Sequence, residues 1–383
     1  MQLLDFIHNN PDTWRSTLLA APYSLYMVED KVFSRNLILL CYTINSDMSL
    51  PLVQECRGII IDADSLEVVS YPFNKFFNLN EKNHAIVDWS TAKTTQKIDG
   101  SIIKLVRLGD DFLISTNKTI NAFSAEIQNQ LGCPYKTFGE VVKRGLDISA
   151  AAGCYDSTES MCADIFEEGY TYIFELVSPY TKIVISYSEV KLYLIGIRNN
   201  RTFEEYYFND ARFAKLHRCF DTPKSYLINS EAEVVNAAHE LPETEEGFVV
   251  VDDKFNRIKV KSLTYVRLHH MRGEGVLTYS AALAVYRQGK AEVDELLSYF
   301  PEYETAYREL EEKINSIEEA AERGWDEFYS KGLTSRKEQA QYITQHCFPP
   351  AYFFTRLDNK ATSFHEWFCS LNDSRIMNIL NDE

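Results

Sequence analysis

The sequence changes character near Tyr265. Before that point, short runs of β-branched, aliphatic and aromatic residues are separated by turn residues, as in Ile102–Thr116, where two such runs flank a Gly-Asp pair. This pattern predicts a β-hairpin. Between Tyr303 and Ala321, apolar residues instead recur at helical spacing opposite an acidic surface. We therefore expect an α+β protein with a domain of antiparallel sheets and flanking helices over residues 1–265, followed by an all-helical C-terminal domain over residues 266–383.

Local signals place further elements. Residues 2–20 are expected to form two helices, with Asn10 capping the second and Pro11 at its first helical position. Residues 121–170 have the pattern of a helical insert. Three later runs have strand-like composition: Tyr172–Val177, Ile183–Tyr187 and Lys191–Ile197.

Composition limits the classes of function. The net charge of −17 argues against a general nucleic-acid coat, so any contact with RNA must come from a local basic cleft. No apolar run reaches the ~20 residues that a membrane-spanning helix needs. The eight cysteines are scattered without a C-x-x-C pair, which is typical of a reduced, cytoplasmic protein. We expect no membrane association.

The segment Gln96–Ser101 places a lysine, an acid and a glycine in close succession between two strand-like runs. One interpretation is a polar strand end followed by an Asp-Gly turn. The other is that Lys97 is a nucleophile. A free lysine has a pKa near 10.4 and must lose its proton to attack phosphorus or carbon. A nucleotidyl-transfer enzyme and a Schiff-base enzyme would both use such a lysine.

Five other short boxes accompany this segment in a fixed order along the chain: Glu55–Ile59, Asn74–Asn78, Phe174–Val177, Glu246–Val249 and Ile258–Ser262. The ordered set resembles the motif series of the covalent nucleotidyltransferases, which include RNA ligases, DNA ligases and mRNA capping enzymes. It is most similar to the bacteriophage RNA ligase 1 family. The resemblance covers about Tyr42 to Tyr265 and implies that the first domain is an adenylyltransferase with a nucleotidyltransferase (ATP-grasp-like ligase) fold.

The resemblance also implies roles for individual residues. Lys97 would be the catalytic nucleophile that accepts AMP from ATP. The expected nucleotide contacts are Tyr42, Arg57, Lys75, Phe77, Lys118, Glu175, Glu246, Gly247, Lys259 and Lys261, of which Lys118 matches the family spacing only approximately. Glu175 and Glu246 would also hold Mg²⁺, with Mn²⁺ as the alternative metal.

Elementary chemistry supports several of these roles. Arg57 suits a phosphate or carboxylate through its planar fork. Glu175 lies in an apolar run, where a carboxylate is costly to bury unless it is paired. Lys259 and Lys261 are two residues apart on one strand and therefore share a face. We expect these two lysines, a bound Mg²⁺, or all three, together with burial, to lower the pKa of Lys97 and so favour its neutral, nucleophilic form.

The implied reaction joins 5′-phosphate and 3′-hydroxyl RNA ends through lysyl-AMP and RNA-adenylate. The family analogy suggests tRNA repair, with nicked tRNA as the RNA partner and a separate RNA end-healing kinase/phosphatase. It also suggests the host cytoplasm if the protein is phage-encoded, and RNA or tRNA specificity in the helical domain. Two alternatives are open: a DNA ligase or capping-type enzyme, in which an OB-fold usually follows the last lysine box, and a non-catalytic nucleotide-binding scaffold.

Overall fold

A computed structural model describes residues 1–127, 133–272 and 279–381. The chain forms two compact units, Met1–Val266 and Arg267–Glu383. The strands of the first unit are β1 (Tyr26–Val32), β2 (Arg35–Cys41), β3 (Arg57–Asp62), β4 (Val68–Ser70), β5 (Phe77–Asn78), β6 (Lys93–Lys97), β7 (Ser101–Leu108), β8 (Asp111–Ser115), β9 (Tyr170–Val177), β10 (Lys191–Asn199), β11 (Glu205–Tyr206), β12 (Ser225–Tyr226), β13 (Gly247–Val251) and β14 (Arg257–Lys261).

The strands form three sheets whose orders are β1-β2-β3-β4, β11-β10-β9-β7-β8 and β12-β6-β13-β14-β5. Every pairing between neighbours is antiparallel except that of β5 with β14. The predicted hairpin is confirmed as β7 and β8, whose register closes at Leu108 and Asp111. We call the third sheet the lysine sheet, because its strands β6 and β14 both end in a lysine, Lys97 and Lys261. These two lysines are among the predicted site residues.

The helices of the first unit are α1 (Gln2–Asn9), α2 (Trp14–Leu19), α3 (Pro51–Glu55), α4 (Phe138–Ala152), α5 (Thr158–Ile165) and α6 (Glu231–His239), with 3-10 turns at Ala122–Ser124 and Ala211–Arg218. Helix α4 begins with a capping box between Thr137 and Glu140. It packs its buried residues Val142 and Leu146 into the core beneath the second sheet. The helical insert is thus observed at α4 and α5, while residues 128–132 lie outside the described part of the chain.

Two local predictions were wrong. Helix α2 begins at Trp14, not at Pro11, because the side-chain amide of Asn10 turns back to donate to the Phe6 carbonyl at 2.9 Å and ends α1 instead of capping α2. Residues Ile183–Tyr187 do not form a strand. Two of their backbone N–H groups, those of Val184 and Ile185, donate to the buried Asp99 carboxylate at 2.8 and 2.7 Å instead of to a neighbouring strand.

The second unit is helical in its described residues. After α7 (Leu263–Arg272), which spans the boundary between the units, come α8 (Tyr279–Gln288), α9 (Lys290–Tyr299), a 3-10 turn at Pro301–Tyr303, α10 (Glu304–Ser330), α11 (Arg336–His346), α12 (Pro350–Leu357), α13 (Phe364–Ser370) and α14 (Asp373–Asn381). Helix α10 buries the predicted stripe of Tyr307, Leu310, Ile314, Ile317 and Ala321. Among the described helices, none combines the length and apolar character needed to cross a membrane.

Candidate functional site

Strand register brings the predicted lysines together on the lysine sheet. Gly247, the first residue of β13, is paired with Lys97 on one side and with Lys261 on the other. Val249 is paired in the same way with Lys259. Directly paired residues of neighbouring strands share a face, and so do residues two apart on one strand. The three lysines therefore project from one face of the sheet.

Gly247 permits this arrangement. Its φ of +150° is one that residues with a side chain rarely adopt. A Cβ atom added to Gly247 would lie 2.1 Å from the Val260 carbonyl oxygen and 2.8 Å from the Lys261 Cα atom. Any other residue would have to displace β14, and Lys261 with it.

Glu246 immediately precedes Gly247 and links two of the lysines. The Lys97 Nζ donates to Glu246 Oε2 at 2.7 Å, and the Lys261 Nζ lies 3.0 Å from Glu246 Oε1. The Glu246 side chain is only 2% exposed. A buried carboxylate with an ammonium on each oxygen is satisfied as an ion pair.

The charge state of Lys97 differs from the sequence prediction. Burial alone would lower the pKa of Lys97, but attraction to the carboxylates of Glu246, Glu175 and Asp99, together with the hydrogen bond to Glu246, outweighs it and the pKa is raised. The expectation that neighbouring lysines make Lys97 neutral is therefore wrong for this state. Acid groups lie closer to Lys97 than the sequence pattern indicated, and the site holds it as an ammonium.

The predicted depression occurs instead at Lys259. Burial, followed by repulsion from Lys75, Lys261 and Lys97, lowers the pKa of Lys259 to about 7. Among the described residues no carboxylate forms an ion pair with Lys259. An anionic ligand bound beside Lys259 would offset this repulsion between the lysines.

Glu175 is the second carboxylate beside Lys97. It lies on β9, is paired with Ile102 and Tyr193, and is 8% exposed. Burial raises the pKa of Glu175 to about 7, with attraction to Lys97 opposing the shift and repulsion from Glu246 adding to it. A cation or a hydroxyl donor delivered by a ligand would favour its ionised form.

A metal site made by protein ligands alone is not present in the described part of the chain, where no group of three or more His, Cys, Asp or Glu side chains is suitably placed. Of the two predicted metal ligands, Glu246 has both oxygens engaged by lysines. Glu175 keeps the donor type that Mg²⁺ or Mn²⁺ prefers. A divalent cation could thus fit here with Glu175 and the oxygens of a bound phosphate chain.

Arg57 provides an anion-binding group. Its Nε and Nη1 atoms are buried and have no hydrogen-bond partner among the described residues. The guanidinium lies over the Phe76 ring, 5.0 Å from its centroid, and burial lowers the pKa of Arg57. Buried donors without partners are costly, so this side chain is suited to a ligand that supplies acceptor oxygens.

These side chains line one cleft of about 840 Å³. Among the described residues its lining includes seven basic side chains and two acidic ones. The basic residues are Arg57, Lys93, Lys97, Lys118, Arg257, Lys259 and Lys261, and the acidic ones are Glu126 and Glu175. Because the chain is acidic overall, a polyanion could bind it only at a local basic region, and this cleft is such a region.

The other predicted contacts lie beside the cleft lining, not within it. Lys75 places its Nζ 5.0 Å from the centroid of the Tyr42 ring and 5.7 Å from that of Phe77, so these three residues form a cation–π cluster of their own. Phe77 is 6% exposed and fills core, whereas its neighbour Phe76 lines the cleft. Glu246 lies behind two lining residues, Lys97 and Lys261, which it contacts.

Sequence reasoning missed Lys93 and Arg257. Both pair with Val251, so they form a third row on the same face, two residues beyond Thr95 and Lys259. Extending the period-two count from Lys97 and from Lys259 along their strands would have found them. Arg257 forms an ion pair with Glu205, and its guanidinium lies over the Phe73 ring, 4.1 Å from the centroid.

Comparison with known proteins gives a consistent picture. A sequence model of the family described as RNA ligase matches residues 55–265. A protein of Autographa californica nuclear polyhedrosis virus, named as a bifunctional polynucleotide kinase/RNA ligase, is 28% identical over 283 residues, which cover 71% of this chain and 38% of that protein. A protein of Rhodothermus phage RM378, named RNA ligase, is 23% identical over 376 residues, which cover 79% of this chain and 81% of that protein.

A Thermovibrio ammonificans protein named as an RNA ligase is 28% identical over 251 residues, covering 63% of this chain and 60% of that protein. The chain thus spans less than two thirds of the length of this relative and of the viral one. Among solved structures, an archaeal ATP-dependent RNA ligase is 13% identical and superposes with a TM-score of 0.48, covering 94% of this chain and 90% of the other.

Proposed function

Since the chain belongs to the RNA ligase family, we propose that it is an ATP-dependent RNA ligase that joins a 5′-phosphate to a 3′-hydroxyl. The observation that carries the proposal is the face of the lysine sheet, where Lys97 and two further lysines project into the cleft that also contains Arg57, whose buried Nε and Nη1 have no hydrogen-bond partner among the described residues. A nucleophilic amine beside several cations suits attack on a polyphosphate.

In the first step, Lys97 Nζ attacks the α-phosphorus of ATP. A P–N bond forms, the bond from that phosphorus to the bridging oxygen breaks, and pyrophosphate leaves. The ammonium must first lose a proton, and Glu246, 2.7 Å from Lys97 Nζ, is placed to accept it. Binding of the anionic triphosphate beside Lys261 gives that ammonium a second partner and loosens its hold on Glu246.

The remaining cleft residues act by charge. Arg57, Lys118 and Lys259 offset the negative charge that increases on the departing pyrophosphate. A divalent cation, Mg²⁺ or Mn²⁺, bound with the triphosphate beside Glu175 would add to this neutralisation. When no cation is bound beside it, Glu175 accepts a hydrogen bond from a ribose hydroxyl and so orients the nucleoside.

The second and third steps use RNA. An oxygen of the RNA 5′-phosphate attacks the phosphorus of lysyl-AMP, the P–N bond breaks, and Lys97 regains a proton. The 3′-hydroxyl of the other RNA end then attacks the 5′-phosphorus, and AMP leaves. The same cationic face receives each phosphate in turn.

The finer proposal is that nicked tRNA is the substrate, that the helical second unit (residues 267–383) contributes to its selection, and that a separate RNA end-healing kinase/phosphatase prepares the ends. The viral relative is named as both a kinase and a ligase, and this chain spans 38% of it.

The test is transfer of label from [α-³²P]ATP to the protein with Mg²⁺, measured after denaturation. We expect a stable adduct in the native chain and in Lys31→Ala, which alters an exposed lysine on β1. Lys97→Ala and Lys97→Arg should form none, since alanine has no nucleophile and a guanidinium stays protonated. An adduct in either Lys97 variant would contradict the proposal. Sealing of nicked DNA in preference to a nicked anticodon stem-loop would exclude the RNA assignment.

A further inference from the structure

Arg57 reaches the cleft from a β-bulge. Leu40 on β2 is paired with Ile59 on β3, but the next residue, Cys41, is paired with Arg57, so Gly58 is an extra residue without a partner on β2. Its φ of +86° belongs to the left-handed region. A Cβ atom at Gly58 would lie 2.7 Å from the Asn117 carbonyl oxygen, so the bulge is packed tightly on that loop.

The carbonyl oxygen of Gly58 accepts a hydrogen bond from a side chain. Lys104, on β7 of the second sheet, is fully buried and donates from its Nζ to this carbonyl oxygen. No carboxylate of the described residues forms an ion pair with Lys104, and burial lowers its pKa to about 7. An amine buried without a counter-ion is destabilising in itself. Among the described residues, the polar contact of Lys104 is the hydrogen bond to Gly58 that closes the bulge.

The bulge fixes the direction of its neighbour. Arg57 and Gly58 share a peptide bond, so the turn of the chain at Gly58 determines where the Arg57 side chain leaves β3. We infer that Lys104 is a positioning residue for nucleotide binding: by holding the Gly58 carbonyl it directs the Arg57 guanidinium into the cleft to meet the phosphates of ATP. This inference rests on the proposed function.

A double-mutant cycle tests whether Lys104 acts through Arg57. The full-length chain and its Lys104→Met, Arg57→Ala and doubly substituted variants are titrated with ATP by calorimetry, and single-turnover labelling is measured in parallel. Lys104→Met should weaken ATP binding about tenfold, the effect of one charge-assisted contact. It should leave the labelling rate at saturating ATP within about threefold of native. In the Arg57→Ala background, Lys104→Met should have no further effect.

Two further variants separate positioning from simple stabilisation. Val106→Ala changes a buried residue two positions along β7; it should lower the melting temperature without changing the ATP Kd. Lys104→Gln retains a donor and should bind ATP more tightly than Lys104→Met. Additive effects of Lys104→Met and Arg57→Ala would overturn the inference. So would misfolding of both Lys104 variants while Val106→Ala folds, because Lys104 would then act on the fold alone.

The binding readout also keeps the two proposals distinct. A native chain that binds ATP but forms no adduct refutes the ligase reaction, while the cycle on ATP affinity still decides the role of Lys104. An adduct in the native chain, with unchanged ATP affinity in Lys104→Met, refutes the positioning role and leaves the ligase proposal standing.

Discussion

Two parts of the lysine sheet use the same residue type in opposite ways. At the edge row, Lys97 and Lys261 flank Gly247 and share the carboxylate of Glu246. One row further in, Lys259 is buried and repelled by Lys75, Lys261 and Lys97, and these effects outweigh its attraction to Glu81. The pKa of Lys97 is raised and that of Lys259 is lowered to about 7. The pKa of Lys97 is raised because three acids, Glu246, Glu175 and Asp99, lie near it, whereas burial and three lysines lower the pKa of Lys259.

The difference bears on how the site would be activated. The lysine proposed to attack ATP is stored in its unreactive, protonated form by Glu246 and Glu175. Lys259, whose pKa is lowered to about 7, is the one we assign to binding phosphate. Arrival of an anion would favour the charged form of Lys259 and would compete with Glu246 for Lys261, which frees one oxygen of Glu246. Charge redistribution on binding is therefore part of the proposed chemistry.

Disrupting the row formed by Lys97, Gly247 and Lys261 should have the largest effect on adenylylation. In Gly247→Ala, the new Cβ atom would meet the Val260 carbonyl oxygen at 2.1 Å, so β13 and β14 must separate and Lys97 and Lys261 lose their common partner. We expect adenylylation to fall by at least about 100-fold and the free energy of unfolding to fall by about 3 kcal/mol. Labelling kinetics and urea unfolding measure the two effects.

Gly109→Ala is the matched control for this change. Gly109 also has a positive φ, +67°, but a Cβ atom there would meet nothing within 4 Å. It should lower the free energy of unfolding by only about 1 kcal/mol and leave adenylylation unchanged. Equal losses of activity in the two alanine variants would mean that the close approach at Gly247 does not organise the site.

The pH dependence of adenylylation should report the hold of Glu246 on Lys97. The raised pKa of Lys97 makes its neutral fraction small at neutral pH, so kcat/KM for ATP should increase with pH. Glu246→Gln removes the attracting charge, lowers the pKa of Lys97 and should move this acid limb to lower pH by about one unit. The maximal rate should fall because glutamine cannot accept the proton.

Glu245→Gln provides the control for the pH experiment, because it alters the adjacent acid, which accepts from the Tyr226 hydroxyl at 3.2 Å and not from Lys97. Its pH profile should match that of the native chain. An acid limb that does not move in Glu246→Gln would show that this carboxylate does not set the protonation of Lys97.

The sequence predicted the parts of the site that depend on short-range pattern. Alternation along a strand placed Lys259 and Lys261 on one face, and the ordered boxes pointed to Lys97 and Arg57. The charge on Lys97 could not be predicted, because it depends on the pairing of β6 with β13, which puts Glu246 beside it across a gap of 149 residues. Sequence pattern alone gives no such distance.

The same limit explains two other errors in the first unit. The apolar composition of Ile183–Tyr187 is strand-like, but two of its N–H groups donate to Asp99, which is more than 80 residues away. Phe77 was predicted to contact the nucleotide, but it enters the core while its neighbour Phe76 meets Arg57, since adjacent residues of an extended chain point to opposite sides. Long-range pairing, not local propensity, selects among chemically equivalent residues.

The smallest expected effect is a difference in sign: replacing Lys259 should stabilise the fold, whereas replacing Lys261 should destabilise it. The pKa of Lys259 is lowered from its ordinary value of 10.5 to about 7. Between these two pH values the unfolded chain binds a proton that the folded chain does not, so Lys259 destabilises the fold progressively as pH falls from 10.5 and fully below about 7. Lys259→Met should therefore stabilise the protein at pH 7 by about 1–2 kcal/mol and make its stability less dependent on pH above pH 7.

Lys261→Met breaks the contact with Glu246 and should instead destabilise the protein by about 1 kcal/mol. Urea unfolding of both variants at several pH values tests this, and a change of the same sign in the two would mean that the rows do not differ as described.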